Sequence, residues 1–372
     1  MNPLSTPRAA AGRVPVIAAL AVLVVLVALV AAGCGSSGPG DGTSAPSTGV
    51  GRGGSVRLLT HDSFSVSDAV LAGFEQRTGI KVEVVRGGDA VEVVNQAILT
   101  KRNPQGDVLF GIDNNLLTRA FDEGLFEPYE SPSLADVDPA YVLDPQHRVT
   151  PIDVGDVCVN YDRSRLRADG LPVPETLEDL ADARYRGMLV VENPATSTPG
   201  LAFLLATRAR FGDGWLDYWR ALKGNGVTVA DGWEQAYYSD FSGGSGEGDR
   251  PLVVSYASSP AAEVSDPSIS VEDAPTGFVP TTCYRQIEFA GILAGAANPD
   301  AARQLIDFLL SVPFQEDVPM RMFVYPVNTQ AALPEAFTKF AALATDPLSL
   351  PPAEVAANRD RWIEEWTKLF SE

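Results

Sequence analysis

The chain has 372 residues, 45% hydrophobic and 20% charged, with a formal net charge of −20. This supplies a sizeable core and roughly two domains' worth of chain, which excludes a disordered protein. The acidic balance excludes a nucleic-acid surface, favours solubility and leans weakly toward cationic ligands.

At the N-terminus, Arg8 and Arg13 precede an apolar run over residues 14–32 that ends in Ala31-Ala32-Gly33-Cys34. That order is a secretory signal, with an uncleaved membrane anchor as the alternative on length. Residues 31–34 resemble the lipobox of bacterial lipoproteins, although Ala31 stands where leucine is usual. The resemblance implies a lipoprotein signal peptide over residues 1–33 and lipidation at Cys34. Residues 33–38 also satisfy GxGxxG, but no strand-to-helix context surrounds them, and the match is a coincidence of small residues. Residues 34–54 are Gly, Ser, Pro and Thr with little that is apolar, a flexible tether.

The folded body begins near residue 55. Strands are expected at 56–60, 80–85 and 108–112, with helices at 67–78, at 91–101 and from Leu116. This βαβαβα opening predicts a mainly parallel sheet with helices on both faces and ligands beyond the strand C-terminal ends. The loops there, His61-Asp62-Ser63, Gly87-Gly88-Asp89 and Asp113-Asn114-Asn115, each carry a carboxylate.

A second alternating series follows Pro151, with a strand at 157–160 and a helix from Thr176 in which Asp179 is a capping partner. After a strand at 188–191, Thr196, Ser197 and Thr198 open a helix with Pro199 at its first position. This hydroxyl cluster reads either as ordinary N-capping or as a seat for an oxygen-rich or anionic ligand group. A helix with Trp215 and Trp219, a strand near Val227, the Trp233 helix and a strand at 252–256 follow. An extended run at 284–287 and helices at 299–310 and 353–370 complete the chain. The expected architecture is α/β with two lobes, each a mainly parallel sheet flanked by helices, and a ligand cleft between them. Residues 55–152 form the first segment of lobe 1, residues 153–282 lobe 2, and residues 283–372 the return to lobe 1 with the C-terminal helices. Crossings near Asp153 and Glu288 suggest a hinge.

With Cys34 set aside, Cys158 and Cys283 remain, either a disulfide in an oxidising compartment or two buried thiols. The two histidines, His61 and His147, share no local motif, and CxxC, HExxH, Walker and G-x-S-x-G patterns are missing, so no enzyme, metal site or cofactor is expected. Trp233 and Tyr256 stand beside turns. They read either as core residues or as faces for an organic cation, each worth about 0.5–2 kcal/mol.

Taken together, Thr60-His61-Asp62-Ser63-Phe64, Gly111-Ile112-Asp113-Asn114-Asn115-Leu116-Leu117, Thr196-Ser197-Thr198-Pro199-Gly200, Gly232-Trp233-Glu234-Gln235-Ala236-Tyr237 and Ser255-Tyr256-Ala257-Ser258-Ser259-Pro260 resemble the thiamine-binding proteins of bacterial ABC importers. Tyr325-Pro326-Val327 and the closing Pro352-Ala353-Glu354-Val355-Ala356-Ala357-Asn358-Arg359 are similar as well, so the likeness spans residues 55–372. It implies a type II-like periplasmic-binding-protein fold, exported and lipid-anchored on the outer face of the bacterial cytoplasmic membrane. Such a protein captures thiamine or its phosphate esters and delivers it to a permease driven by a separate ATPase; a monomer is expected. The family's binding positions fall on Asp89 and Ala90, on Ser197 and Thr198, on Trp233, and on Tyr256, Ala257, Ser258 and Ser259. Ala90 replaces a family glycine, and His61 stands where many relatives have tyrosine. Trp233 and Tyr256 would stack on the ligand, Asp89 would offset positive charge, and Ser197, Thr198, Ser258 and Ser259 would bind its polar end. Asp62, Ser63, Asp113 and Tyr325 are further candidate contacts. Alternatives are a ferric-ion binder using Tyr237 and Tyr238, a polyamine binder, and a structural surface lipoprotein without a small ligand.

Overall fold

The computed structural model describes residues 54–264 and 266–372. The signal peptide, the lipobox with Cys34 and nearly all of the tether lie outside these residues. The body opens with β1 (Ser55–Thr60), α1 (Asp68–Thr78), β2 (Lys81–Arg86), α2 (Ala90–Leu99), β3 (Val108–Asp113) and α3 (Leu117–Asp122), the alternation the apolar periodicity calls for. α1 stops at Gly79, whose φ of 70° makes a left-handed cap with its N–H on the Glu75 carbonyl.

Next come β4 (Phe126–Glu127), β5 (Thr150–Asp162), α4 (Arg163–Ala168), β6 (Leu189–Glu192), α5 (Thr198–Phe211), α6 (Trp215–Gly224) and β7 (Thr228–Ala230). A π-helical segment at Gln235–Asp240, then β8 (Leu252–Tyr256), α7 (Ser259–Ala262) and β9 (Thr276–Leu293) follow. The chain closes with α8 (Pro299–Leu309), α9 (Val312–Gln315), α10 (Val318–Met322), β10 (Tyr325–Pro326), α11 (Glu335–Phe340) and α12 (Pro352–Ser371).

In place of the helix expected from Thr176 there are two short 3-10 turns, Glu178–Ala181 and Ala183–Tyr185. Asp179 does cap the backbone of Glu175 and Thr176. Asp182, however, is extended and turns its carboxylate onto the Arg184 N–H, which interrupts the helical ladder.

The strands form one mixed sheet in the order β2-β1-β3-β9-β5-β8-β6-β7, with β10 on β5 and β4 on β9. The parallel pairing expected from the alternation holds in β2-β1-β3 and in β8-β6-β7. Between these sets, β3-β9, β9-β5 and β5-β8 are antiparallel. β5 and β9 run 13 and 18 residues, far beyond the short runs the sequence suggests, because Asp153, Gly155, Asp156, Thr282 and Gln286 interrupt the apolar pattern along strands buried on both faces. Asp153 and Glu288 are register partners beside a bulge in this central pair. Cys158 and Cys283 join the same two strands by a disulfide, with Cα atoms 4.2 Å apart.

Helices flank the sheet. α6 turns Trp215, Tyr218, Trp219 and Leu222 inward, and α12 buries Val355, Arg359, Trp362 and Trp366 along one stripe. Trp366 meets Trp219 edge to face, with ring centroids 5.5 Å apart, and Arg359 donates to the Asn115 carbonyl. α12 therefore bridges the α6 region and the loop after β3.

Candidate functional site

A cavity of about 340 Å³ opens where the C-terminal ends of β1, β2, β6, β7 and β8 converge. Parallel strands deliver their following loops to one edge of a sheet, and here both parallel sets feed the same cavity. His61, Asp62, Ser63, Phe64 and Ser65 come from β1, Arg86, Asp89 and Ala90 from the end of β2 and the start of α2, and Thr198 and Pro199 from the turn after β6. Trp233, Glu234 and Tyr238 follow β7, Tyr256 ends β8, Glu288 lies within β9, and residues 321–324 close one side.

Asp89 is the focus of this convergence. Its Oδ1 accepts the N–H of Ala90 at 2.6 Å and of Thr198 at 3.1 Å, and its Oδ2 accepts the N–H of Trp233 at 3.1 Å. One carboxylate thus satisfies donors at the start of α2, at the start of α5 and in the turn after β7. The first turn of a long helix favours an anion, and the anion found at Thr198 is the chain's own. Burial pushes the Asp89 carboxyl above its usual range, against the pull of the Trp233 and Thr198 amides, Ser197 and His61.

An aromatic wall faces Asp89. The Trp233 ring stacks on Tyr237 with centroids 5.0 Å apart, and its Nε1 donates to Ser255 Oγ at 2.9 Å. Tyr238 and Phe323 meet its edges at 5.5 and 6.0 Å, and Tyr256 lies 6.4 Å away. Phe323 has a φ of 60°, the left-handed region that a bulky residue rarely adopts, and its carbonyl is held by the Ser258 hydroxyl.

Carboxylates dominate the polar lining. Glu288 Oε2 lies 3.7 Å from His61 Nε2, an ion-pair distance too long for a hydrogen bond. Burial pulls the His61 pKa down, but the neighbouring Glu288, Asp89 and Asp62 outweigh it, and the net shift is upward. Glu234 is also raised, by burial and by Asp62. Gly111, with φ of 99°, makes room for the His61 ring, which any Cβ at that position would strike. Asp153 and Glu192 are buried with no hydrogen-bond partner on either oxygen among the described residues. Burial raises both well above the usual carboxylate range, with Glu288 adding to the effect at Asp153 and Asp89 at Glu192.

Of the residues singled out in the sequence, Asp62, Ser63, Asp89, Ala90, Thr198, Trp233 and Tyr256 line the cavity. Tyr238 also lines it, and the remaining candidates stand back from it. Ser197 is buried as the N-cap of α5, with its Oγ taking the Gly200 N–H. Ser259 shares a hydrogen bond with Ser255 and accepts the Tyr256 N–H, and Ser258 is spent on Phe323. Ala257 packs against the disulfide. Asp113 is buried against Asn115, and Tyr325 packs on Phe337 with centroids 5.3 Å apart. Tyr237 is fully buried with its hydroxyl on Glu263, so the tyrosine pair does not present two phenolates to one point. Among the described residues no group of three His, Cys, Asp or Glu side chains is placed to hold a metal ion.

Arg86, Glu288, Arg321 and Phe323 line the cavity without having been foreseen as contacts. Arg86 lies one residue past the expected strand end, a position from which a long side chain reaches the loop after the neighbouring strand.

A mixed α/β sheet whose parallel strand ends meet at one cavity is the architecture of a periplasmic binding protein. The chain belongs to the bacterial extracellular solute-binding proteins, whose family model matches residues 103–344. As a solute-binding protein it is not an enzyme. It is 31% identical over 326 residues to the thiamine-binding periplasmic protein of Escherichia coli (strain K12), covering 85% of this chain and 93% of that protein. Against the protein of the same description from Brucella suis biovar 1 the identity is 31% over 328 residues, covering 85% and 92%. A solved periplasmic thiamin binding protein superimposes with a TM-score of 0.74 at 30% identity, covering 86% of this chain and 96% of that chain.

Proposed function

We propose that this chain is the extracytoplasmic substrate-binding protein of an ABC importer and that its cavity takes thiamine, with thiamine phosphate esters as further ligands. The observation that carries the reading is the meeting of the Trp233, Tyr238, Tyr256 and Phe323 rings with the carboxylates of Asp62, Asp89, Glu234 and Glu288 in one cavity. Thiamine joins a flat aminopyrimidine to a permanently cationic thiazolium. Aromatic faces and edges receive the rings, and a cation among desolvated rings gains about 2 kcal/mol or more. The carboxylates neutralise the fixed charge and accept from the amino group. The relatives named for thiamine support the same ligand.

In this reading the two parallel sets of strands form two lobes, with residues 55–152 and 283–372 on one side, residues 153–282 on the other, and the hinge beside Asp153 and Glu288. The chain acts as a monomer, tethered by lipid on Cys34 to the outer face of the cytoplasmic membrane, and passes its ligand to a permease with a separate ATPase. Isothermal titration of the metal-stripped full-length chain with thiamine, spermidine and Fe(III), repeated with Trp233→Ala, tests the ligand. One-to-one thiamine binding weakened at least about tenfold by the substitution is expected; heat with iron or spermidine alone would sink the thiamine reading, and no heat with any of the three would favour a structural lipoprotein.

A further inference from the structure

His61 stands among the carboxylates of the cavity with one ring nitrogen unclaimed. Its Nδ1 lies 3.3 Å from the Ser63 hydroxyl, which can donate or accept and so satisfies that nitrogen in either protonation state. Its Nε2 is buried without a hydrogen-bond partner among the described residues and lies 3.7 Å from Glu288 Oε2. Phe110, with ring centroids 5.6 Å apart, and the space left by Gly111 fix the ring in this place, and neither brings a charge. The charges around it are nearly all negative: Asp62 on its own loop, Asp89 before α2, Glu234 after β7 and Glu288 on β9. Beside Glu288 in the sheet stand its register partners, Asp113 on β3, which also feels Arg359, and Asp153 on β5. The other cations of the cavity wall are engaged elsewhere, Arg86 on the Phe64 carbonyl at 3.0 Å and Arg321 on Ser67 and Asp317. His61 is thus the sole ion-pair partner of Glu288 among the described residues.

A permanently cationic ligand seeks the same carboxylates. Two positive charges close together in a partly desolvated site repel, and of the two only the imidazolium can become neutral. Loss of the Nε2 proton leaves Nδ1 on Ser63 and turns Nε2 into an acceptor, so no buried donor is orphaned. We propose that His61 is a resident cation of the cavity, giving up its Nε2 proton to solvent when the ligand's positive charge takes its place beside Glu288, so that ligand binding is coupled to proton release. The inference rests on the thiamine reading for the ligand's fixed charge. In the ligand-free protein Glu288, Asp89 and Asp62 hold the His61 pKa above its usual value, and the bound cation lowers it. Affinity therefore rises with pH across the interval between the ligand-free and ligand-bound values and is level outside it.

Calorimetric titration of the full-length chain with thiamine tests this in the wild type and in H61Q, at about pH 5 and about pH 8 and, near neutrality, in two buffers of different ionisation enthalpy. The wild type should bind about tenfold more tightly at the higher pH. Its heat near neutrality should depend on the buffer, which takes up the released proton. H61Q should bind thiamine with little dependence on pH or buffer. NMR titration of the wild type keeps the test independent of how the variant folds: the His61 midpoint should fall when thiamine is bound, and that of His147, outside the cavity, should stay. Equal wild-type affinities at the two pH values, or an unmoved His61 midpoint, would overturn the coupling and leave the thiamine reading standing. Full pH dependence retained in H61Q would also overturn it, by placing the released proton on a carboxylate. No thiamine binding at either pH would overturn the thiamine reading and the coupling with it.

Discussion

The Asp89 carboxylate takes the Trp233 backbone N–H at 3.1 Å across 144 residues of chain. It holds Thr198 by its other oxygen, so a single side chain from the loop after β2 pins two loops from the far end of the sheet. Trp233 lines the cavity in the orientation seen partly because its backbone is tied there.

Asp89→Ala should therefore loosen the site as well as remove a charge. Three backbone donors lose their acceptor, two of them at helix starts, and the expected loss of stability is about 2–4 kcal/mol. Asp89→Asn, which keeps the acceptor oxygen at one position, should lose less. Chemical denaturation of both variants checks this, and an alanine variant as stable as the wild type would show that the pinning is not energetically important.

Glu288→Gln tests the electrostatics around His61. Removing the nearest negative charge should lower the His61 pKa, which Glu288, Asp89 and Asp62 together hold above its usual value. A histidine raised in the folded state stabilises the fold below its unfolded pKa, and that stabilisation is lost as pH rises through the folded value. The variant should thus lose more stability at pH 5 than at pH 8. With two histidines in the chain, NMR titration can follow His61 directly, and an unmoved midpoint would refute the coupling.

Buried carboxylates with raised pKa values give a comparison that runs in the same direction with pH. Glu192 has both oxygens unpartnered among the described residues, and burial raises its pKa; Asp113, raised by burial and further by Glu288, reaches about 7. For such groups stability is fully present below the unfolded pKa and declines as pH rises toward the folded one. Glu192→Gln should therefore be more favourable at pH 8 than at pH 4. Denaturation at both pH values measures the difference, and an effect independent of pH would mean that Glu192 does not titrate abnormally.

Much of the site was legible because its loops obey a simple rule. Asp62 and Ser63, Asp89, Thr198, Trp233 and Tyr256 all follow or end strands with a clear apolar signal, and parallel order brings such positions together. What local sequence does not encode is the direction of a short hydroxyl. Ser197, Ser258 and Ser259 stand among the right neighbours, yet tertiary contacts turn them onto Gly200, Phe323 and Ser255. Glu288 sits inside an 18-residue strand, where no turn advertises it, and Phe323 adopts a left-handed backbone with no glycine to mark the bend. The length of β5 and β9 was hidden for a related reason, since polar residues buried at the sheet centre break the pattern by which a strand is recognised.

The Cys158–Cys283 bond joins the two strands that carry the chain between the parallel halves of the sheet. A covalent rivet across that pair prevents β5 from sliding along β9, because any shift in register would have to stretch it. On the proposed two-lobe reading, opening between the lobes would bend this strand pair rather than slide it. The Asp153–Glu288 bulge, where the regular ladder is already interrupted and Glu288 reaches the cavity wall, is the place where such flexing would be felt by whatever the cavity holds.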